Sequence, residues 1–257
     1  MLGAITGDIV GSIYEGHNHK SKDFPFFGQG CTFTDDTVCT IAVADCLMND
    51  GDFADFLRRY VRKHPYRGYG GMFREWAGSN MGPYNSWGNG SAMRVSPVAH
   101  VARDEQELLD LAEQTSVVTH NHPDAVAGAQ ATALTMWMAK FGIDVAAIRE
   151  EISNRFDYNL SPSVDDIRPS YRFDISCAGT VPQAITCALE GTDYEDAVRN
   201  AISIGGDADT IACITGGIAE VMFGLPDEIA EASLGYLTDD LIEVVDRFQS
   251  TKEETFP

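Results

Sequence analysis

"DFADFLRRYVRK", residues 52–63, places Phe53, Phe56, Leu57, Tyr60 and Val61 at i, i+3, i+4, i+7 and i+8. That spacing returns the apolar groups to one side of a 3.6-residue turn and predicts an amphipathic helix. Moving outward, 36–48 repeats the pattern with Val38, Ile41, Ala42 and Cys46. Comparable periods run at about 3–14, 90–102, 105–118, 123–140, 143–155, 180–190, 194–203, 209–223, 226–236 and 239–248, often with Asp, Ser, Thr or Pro near their starts. No run alternates strictly over a strand's length. The expectation is an all-α chain forming one domain over 1–257, with short helices around nearly all-apolar ones at 123–140 and 209–223. The irregular stretches 16–32, 64–92 and 157–178 lack the Ser/Pro or charge repeats of a tether and read as loops on that domain.

Gly3, Gly7 and Gly11 recur at spacing four, and Gly216 and Gly217 lie in the last apolar pattern. Glycines stacked on one helix face permit close helix approach at a cost of about 1 kcal/mol each against Ala. No strand precedes them and no G-x-x-x-x-G-K-[ST] is present, so they are not a phosphate loop.

The 18 Lys and Arg are outweighed by 39 Asp and Glu, a net charge of −21. Such a surface repels nucleic acid and anionic membrane, which disfavours broad nucleic-acid binding. A basic island at Arg58, Arg59, Arg62, Lys63, Arg67 and Arg74 departs from this and reads first as a solvated helix face followed by a loop. The opening "MLGAITGDIVGSIYEG" carries no basic leader and is interrupted by Asp8, so neither a signal peptide nor a membrane span is expected there. Six cysteines without a C-x-x-C pair read as reduced core residues of a cytoplasmic protein.

Two short stretches carry chemistry. "FTDDT" (33–37) and "GGDADT" (205–210) each open an apolar helical pattern with two acids and a threonine. Helix capping accounts for one acceptor in each motif. Four acids and two hydroxyls together form the hard-oxygen set that a divalent cation selects. Asp8 and Glu15, seven residues apart, fall on nearly one helix face in an apolar, Gly-rich pattern without a basic neighbour. A glutamate beside a metal is a natural general base.

"GAITGDIVGSIYE", "FTDDTVCTIAVAD", "GYGGMF", "WGNGSAMRVSP", "THNHPDAVAGA" and "GGDADTIACITGGIAE", in this order, resemble the ADP-ribosylglycohydrolases over nearly the whole chain. The resemblance implies a compact, single-domain orthogonal helical bundle with two divalent cations, Mg²⁺ or Mn²⁺, at the base of a cleft for the ADP-ribose moiety of a modified acceptor. It implies Thr34, Asp35, Asp36, Asp207, Asp209 and Thr210 as metal ligands, with Glu15 beside them and Glu15, Asp35 and Asp36 serving the chemistry. It further implies Gly70, Gly71, Met72, Trp87, Gly88, Asn89, Gly90, Ser91 and Met93 as the substrate-lining segments, and His120 as a partner of a ribose or phosphate oxygen. The implied reaction is hydrolysis at the anomeric carbon of the distal ribose.

Arginine-specific relatives often carry "DIG" where "YGG" stands at 69–71, so an acid expected to face a guanidinium leaving group is absent and O-linked acceptors are compatible. The competing readings are a catalytically inactive ADP-ribose binder, a crystallin-like structural member that would be expected to lose metal ligands, and a dimetal phosphohydrolase. Helical enzymes of the last kind usually carry His-Asp metal pairs, which this sequence lacks.

Overall fold

A computed structural model describes the backbone over residues 1–255 and the side chains over 1–251. α1 (Leu2–Gly11) and α13 (Ala208–Phe223) form its axis. Every residue of α1 is buried, as is every residue of α13 from Ala208 to Ala219. The glycine series explains how they meet. A Cβ added at Gly7 would lie 1.9 Å from the carbonyl oxygen of Ala212, at Gly3 2.5 Å from that of Gly216, and at Gly11 2.6 Å from that of Ala208. The backbones therefore touch along their length with no room for a methyl group, which only glycine allows. The pairing Gly3–Gly216, Gly7–Ala212, Gly11–Ala208 also makes the helices antiparallel, so the end of α1 meets the start of α13.

The other helices pack on both sides of this pair. One apolar cluster gathers α8 (Pro123–Lys140), α11 (Cys177–Leu189), α12 (Tyr194–Ser203) and the Ile211–Ile218 face of α13. The other gathers α2 (Asp35–Met48), α3 (Phe53–Lys63), α4 (Gly71–Gly78) and α15 (Asp239–Thr255) against Leu2, Ile5 and Ile9 of α1. α5 (Gly90–Met93), α6 (Val98–Val101), α7 (Glu105–Val117), α9 (Val145–Phe156), α10 (Val164–Ile167) and α14 (Asp227–Leu234) complete the shell. Among the described residues there is no β-strand, only an isolated antiparallel bridge between Gly88 and Ser176. No helix among them is long and apolar enough to cross a membrane.

Three expectations are corrected. The pattern at 3–14 stops as a helix at Gly11, and Glu15 lies in the turn beyond it. The pattern at 90–102 is two short helices, broken where Pro97 intervenes. α4 forms inside the expected 64–92 loop: its apolar signal is a single Phe73, Trp76, Ala77 turn that starts on glycine, too short to stand out. The expected 123–140 and 209–223 helices are both present, and α1 is buried over its whole length, more completely than either: α8 leaves Trp137 to Lys140 and α13 leaves Glu220 to Phe223 partly at the surface.

The basic island is largely the solvated face expected, with Arg59, Arg62, Lys63 and Arg74 exposed and Arg58 and Arg67 half-buried, and its side chains also make packing contacts. Arg58 stacks on Trp76 and donates to the Met81 carbonyl, Arg59 pairs with Asp45, Arg62 donates to Ala77, and Arg67 lies over Phe33. All six cysteines are free and buried.

Candidate active site

Antiparallel packing of α1 on α13 places Glu15 beside Asp207 and Asp209, at the N-terminus of α13. One carboxylate oxygen from each of the three lies within 4.8 Å of the others. α2 delivers Asp35 and Asp36 to the same place, and Asp8 fixes its approach. Asp8 is fully buried, and its oxygens accept the Thr34 N–H (2.9 Å), the Thr34 hydroxyl (2.6 Å), the Thr37 N–H (3.1 Å) and the Thr37 hydroxyl. Asp8 is therefore a clamp on the start of α2, not a companion of Glu15 in the cleft. Sequence periodicity put the two acids on one face; the end of α1 at Gly11 separates them.

Glu15, Asp35, Asp36, Asp207, Asp209 and Thr210 line one cavity of about 490 Å³. No ion pair among the described residues involves its five acids. Burial holds all of them above the ordinary carboxylate range, and repulsion from neighbouring acids adds to it: Asp35 is pushed up to about 8, Asp36 and Asp209 well up, Glu15 up, and Asp207 up by burial with Asp174 as its repelling neighbour. Asp36 accepts from the Thr210 hydroxyl at 3.4 Å on Oδ1, while its buried Oδ2 has no hydrogen-bond partner. Such a set requires protons or a cation, and the cluster could hold divalent ions.

The capping explanation separates the two motifs. Thr34 caps α2, accepting the Asp36 N–H at 3.3 Å; it lies outside the cavity lining, and its Oγ1 keeps one lone pair after that bond and the one it donates to Asp8. Asp207 stands at the N-cap of α13 but makes no cap hydrogen bond; its Oδ2 accepts from Asn89 Nδ2 at 2.7 Å instead. Its position is set by the glycine loop, not by the helix it precedes.

The same cavity is lined by most of the other expected residues: Gly70, Gly71, Met72, Trp87, Gly88, Asn89, Gly90, Met93 and His120. Ser91 departs. It is fully buried, donates to the Ala125 carbonyl at 2.8 Å and does not line the cavity. Tyr69 also turns inward, donating its hydroxyl to the His64 carbonyl. His122 caps α8, accepting the Asp124 N–H.

Sequence reasoning missed several lining residues. Tyr84, Asn85 and Ser86 sit in an aperiodic loop, Phe173 and Ile175 in another, and Arg94 lies within a quoted motif but was not singled out. Met72, Trp87, Phe173 and Ile175 are each about half exposed and line the cavity. Exposed apolar side chains gathered at one opening are a signal that only the fold reveals.

The family model for ADP-ribosylglycohydrolase matches residues 1–255. The chain is 25% identical to human ADP-ribosylhydrolase ARH3 over 333 aligned residues, covering 94% of this chain and 90% of that protein. It is 26% identical to ADP-ribosylarginine hydrolase Tri1 of Pseudomonas putida over 269, covering 88% and 70%. A solved structure described as an ADP-ribosylglycohydrolase-related protein complex superposes with a TM-score of 0.68 at 22% identity, over 91% of this chain and 95% of that one, and establishes a shared fold. With a match that runs through both helix-start acid motifs and every segment of the cavity wall, the chain belongs to the ADP-ribosylglycohydrolase family.

Proposed function

We propose that this chain, as one domain over 1–257, hydrolyses the glycosidic bond at the anomeric carbon of the distal ribose in an ADP-ribosylated acceptor and releases ADP-ribose. The observation that carries the reading is the polarity of the cavity. One cavity is lined by five acids without a cation among them, by glycine-rich segments with the buried Arg94 guanidinium and His120, and by half-exposed Trp87, Phe173, Ile175 and Met72. A ligand with a polyhydroxylated sugar, an anionic diphosphate and a flat base matches that set of lining groups. The names of the human and Pseudomonas relatives support it.

Mg²⁺ or Mn²⁺, as two ions, would be held by Asp35, Asp36, Asp207, Asp209 and Thr210, with Thr34 at the remaining lone pair of its capping hydroxyl. Bound there, they would supply charge to orient ribose hydroxyls and acidify water. Glu15, at the solvent side of the cluster, would take the proton of an attacking water. Asp207 is oriented by Asn89, and the backbone of Gly70 and Gly71, with open space where a Cβ would stand, is free for close approach by phosphate oxygens. No acid occupies 69–71, and Tyr69 points inward, so O-linked acceptors rank ahead of arginine. A cytoplasmic location fits the six free thiols.

The test is a thermal shift with ADP-ribose in Mg²⁺ and in chelator. Shared contacts require a larger shift with Mg²⁺; equal shifts would remove the ions from the sugar site.

A further inference from the structure

His120 sits in the turn between α7 and α8, and two backbone bonds and a side-chain bond hold that turn closed. The His120 and Thr119 N–H groups both donate to the Ser116 carbonyl, and the Ser116 hydroxyl donates back to the His120 carbonyl at 2.7 Å. The imidazole is packed between the Tyr84 ring, 5.9 Å away, and the glycine loop. A Cβ at Gly90 would lie 3.0 Å from Nε2, so the loop's lack of a side chain there is what lets the Nε2 end of the ring come this close to it. Nδ1 is 2.7 Å from the Thr119 hydroxyl, the one side-chain hydrogen bond of the ring among the described residues. His120 is 6% exposed and lines the cavity.

Arg94 decides which nitrogen carries the proton. Its guanidinium is fully buried, has no carboxylate partner, and donates through Nη2 to Thr119 Oγ1 at 2.9 Å and to the Thr115 carbonyl at 2.7 Å. A guanidinium only donates, so Thr119 Oγ1 must accept from it. The remaining Thr119 proton then has a single acceptor in reach, His120 Nδ1. If Nδ1 carried the ring proton instead, the Thr119 hydroxyl would be a buried donor without an acceptor, its desolvation uncompensated.

We infer that Arg94 and Thr119 form a one-directional hydrogen-bond relay that holds His120 neutral, with its proton on Nε2, as a donor to an oxygen of the ligand. Burial and the Arg94 charge both push His120 well below the usual histidine range, in agreement with a neutral ring. Arg94 and Thr119 are positioning residues: they act through His120. A neutral donor at this wall recognises an acceptor oxygen, phosphate or ribose, without adding charge, and its orientation is fixed before the ligand arrives.

The relay is tested on the free protein by long-range ¹H–¹⁵N correlation of [¹⁵N]histidine-labelled samples, with His120→Gln used to assign the signal. The expected spectrum has a pyrrole-like Nε2 and a pyridine-like Nδ1. Thr119→Val removes the hydroxyl at nearly constant volume and should mix the tautomers; Thr119→Ser should restore the wild-type pattern. In calorimetric titrations with ADP-ribose, Thr119→Val should weaken binding roughly three- to tenfold, the range for one neutral hydrogen bond, and Thr119→Ser should recover it. A cationic His120 or a proton on Nδ1 in the wild type would overturn the relay, as would an unchanged tautomer in Thr119→Val. The affinity arm rests on the ADP-ribose reading of the cavity and the spectroscopic arm does not, so wild type that fails to bind ADP-ribose while showing the Nε2 proton would sink that reading and leave the relay standing.

Discussion

Asn89 Nδ2 donates to Asp207 Oδ2 at 2.7 Å, and this bond joins the glycine wall of the cavity to its acid wall. Asn89 also donates to Thr180 Oγ1 at 3.1 Å, while its backbone N–H is held by the Ile175 carbonyl at 2.8 Å, so the amide has little freedom. The bond favours the ionised form of Asp207 against the burial that opposes it. Loss of an oriented partner behind a metal ligand typically costs 10–100-fold in metal affinity or activity. Asn89→Ala should therefore raise the Mg²⁺ concentration for half-maximal turnover by about that factor. An unchanged Mg²⁺ titration would show that Asp207 needs no help from the loop.

Asp209 is held well above the ordinary range by burial and by Asp36, Asp207 and Glu15. Replacing it by Asn removes an acid that must take up a proton to be buried without metal, so Asp209→Asn should melt higher than wild type in chelator at neutral pH, lose most of the Mg²⁺-induced rise in Tm, and have no turnover. A residue that only capped α13 would instead lose about 1 kcal/mol of stability and keep activity. Differential scanning in both buffers distinguishes the two.

The same electrostatics sets the pH profile of stability. In the unfolded chain Asp35 titrates near 3.8, and in the fold at about 8. Between those values the native state binds more protons, so this contribution is fully present below 3.8 and is lost as pH rises to 8. Asp36, Asp207 and Asp209 shift in the same direction. Tm in chelator should fall from about pH 5 to about pH 8, and saturating Mg²⁺, which binds the ionised acids, should flatten the fall. Equal slopes with and without Mg²⁺ would detach the ions from these carboxylates.

Glu15 is the acid of the cluster that faces solvent. As the group that takes the water's proton, Glu15→Gln should lower single-turnover hydrolysis by roughly 10² to 10⁴ with ADP-ribose affinity in saturating Mg²⁺ little changed. A concurrent loss of Mg²⁺ and ADP-ribose binding would make Glu15 a ligand; near-wild-type hydrolysis would remove it from the chemistry.

Much of the helical architecture was legible because burial enforces period. Phe53, Leu57, Tyr60 and Val61 are the buried residues of α3, as their spacing requires. α4 and α10 were not, because eight and four residues hold too few turns for a period to register. The Gly3, Gly7, Gly11 series announced a close approach but not its partner, which depends on where α13 folds back. The acid motifs were visible by type, yet sequence could not say that Thr34 caps a helix while Asp207, in the matching position, does not. Arg94 was invisible for a related reason: an arginine followed by "VSP" carries no sign that it is fully buried, because its partners are carbonyls and a hydroxyl about twenty to twenty-five residues downstream.

The central claim is that the acid cluster and the glycine wall together cleave ADP-ribose from an acceptor. The most direct measurement is free ADP-ribose released from serine-linked, arginine-linked, acetyl-linked and nucleic-acid-linked substrates by wild-type protein in Mg²⁺, with chelator and Asp209→Asn as controls. Release in Mg²⁺ from at least one O-linked substrate, absent in both controls, is the predicted result; no release from any linkage by protein that binds ADP-ribose would contradict it and leave a binding module in its place.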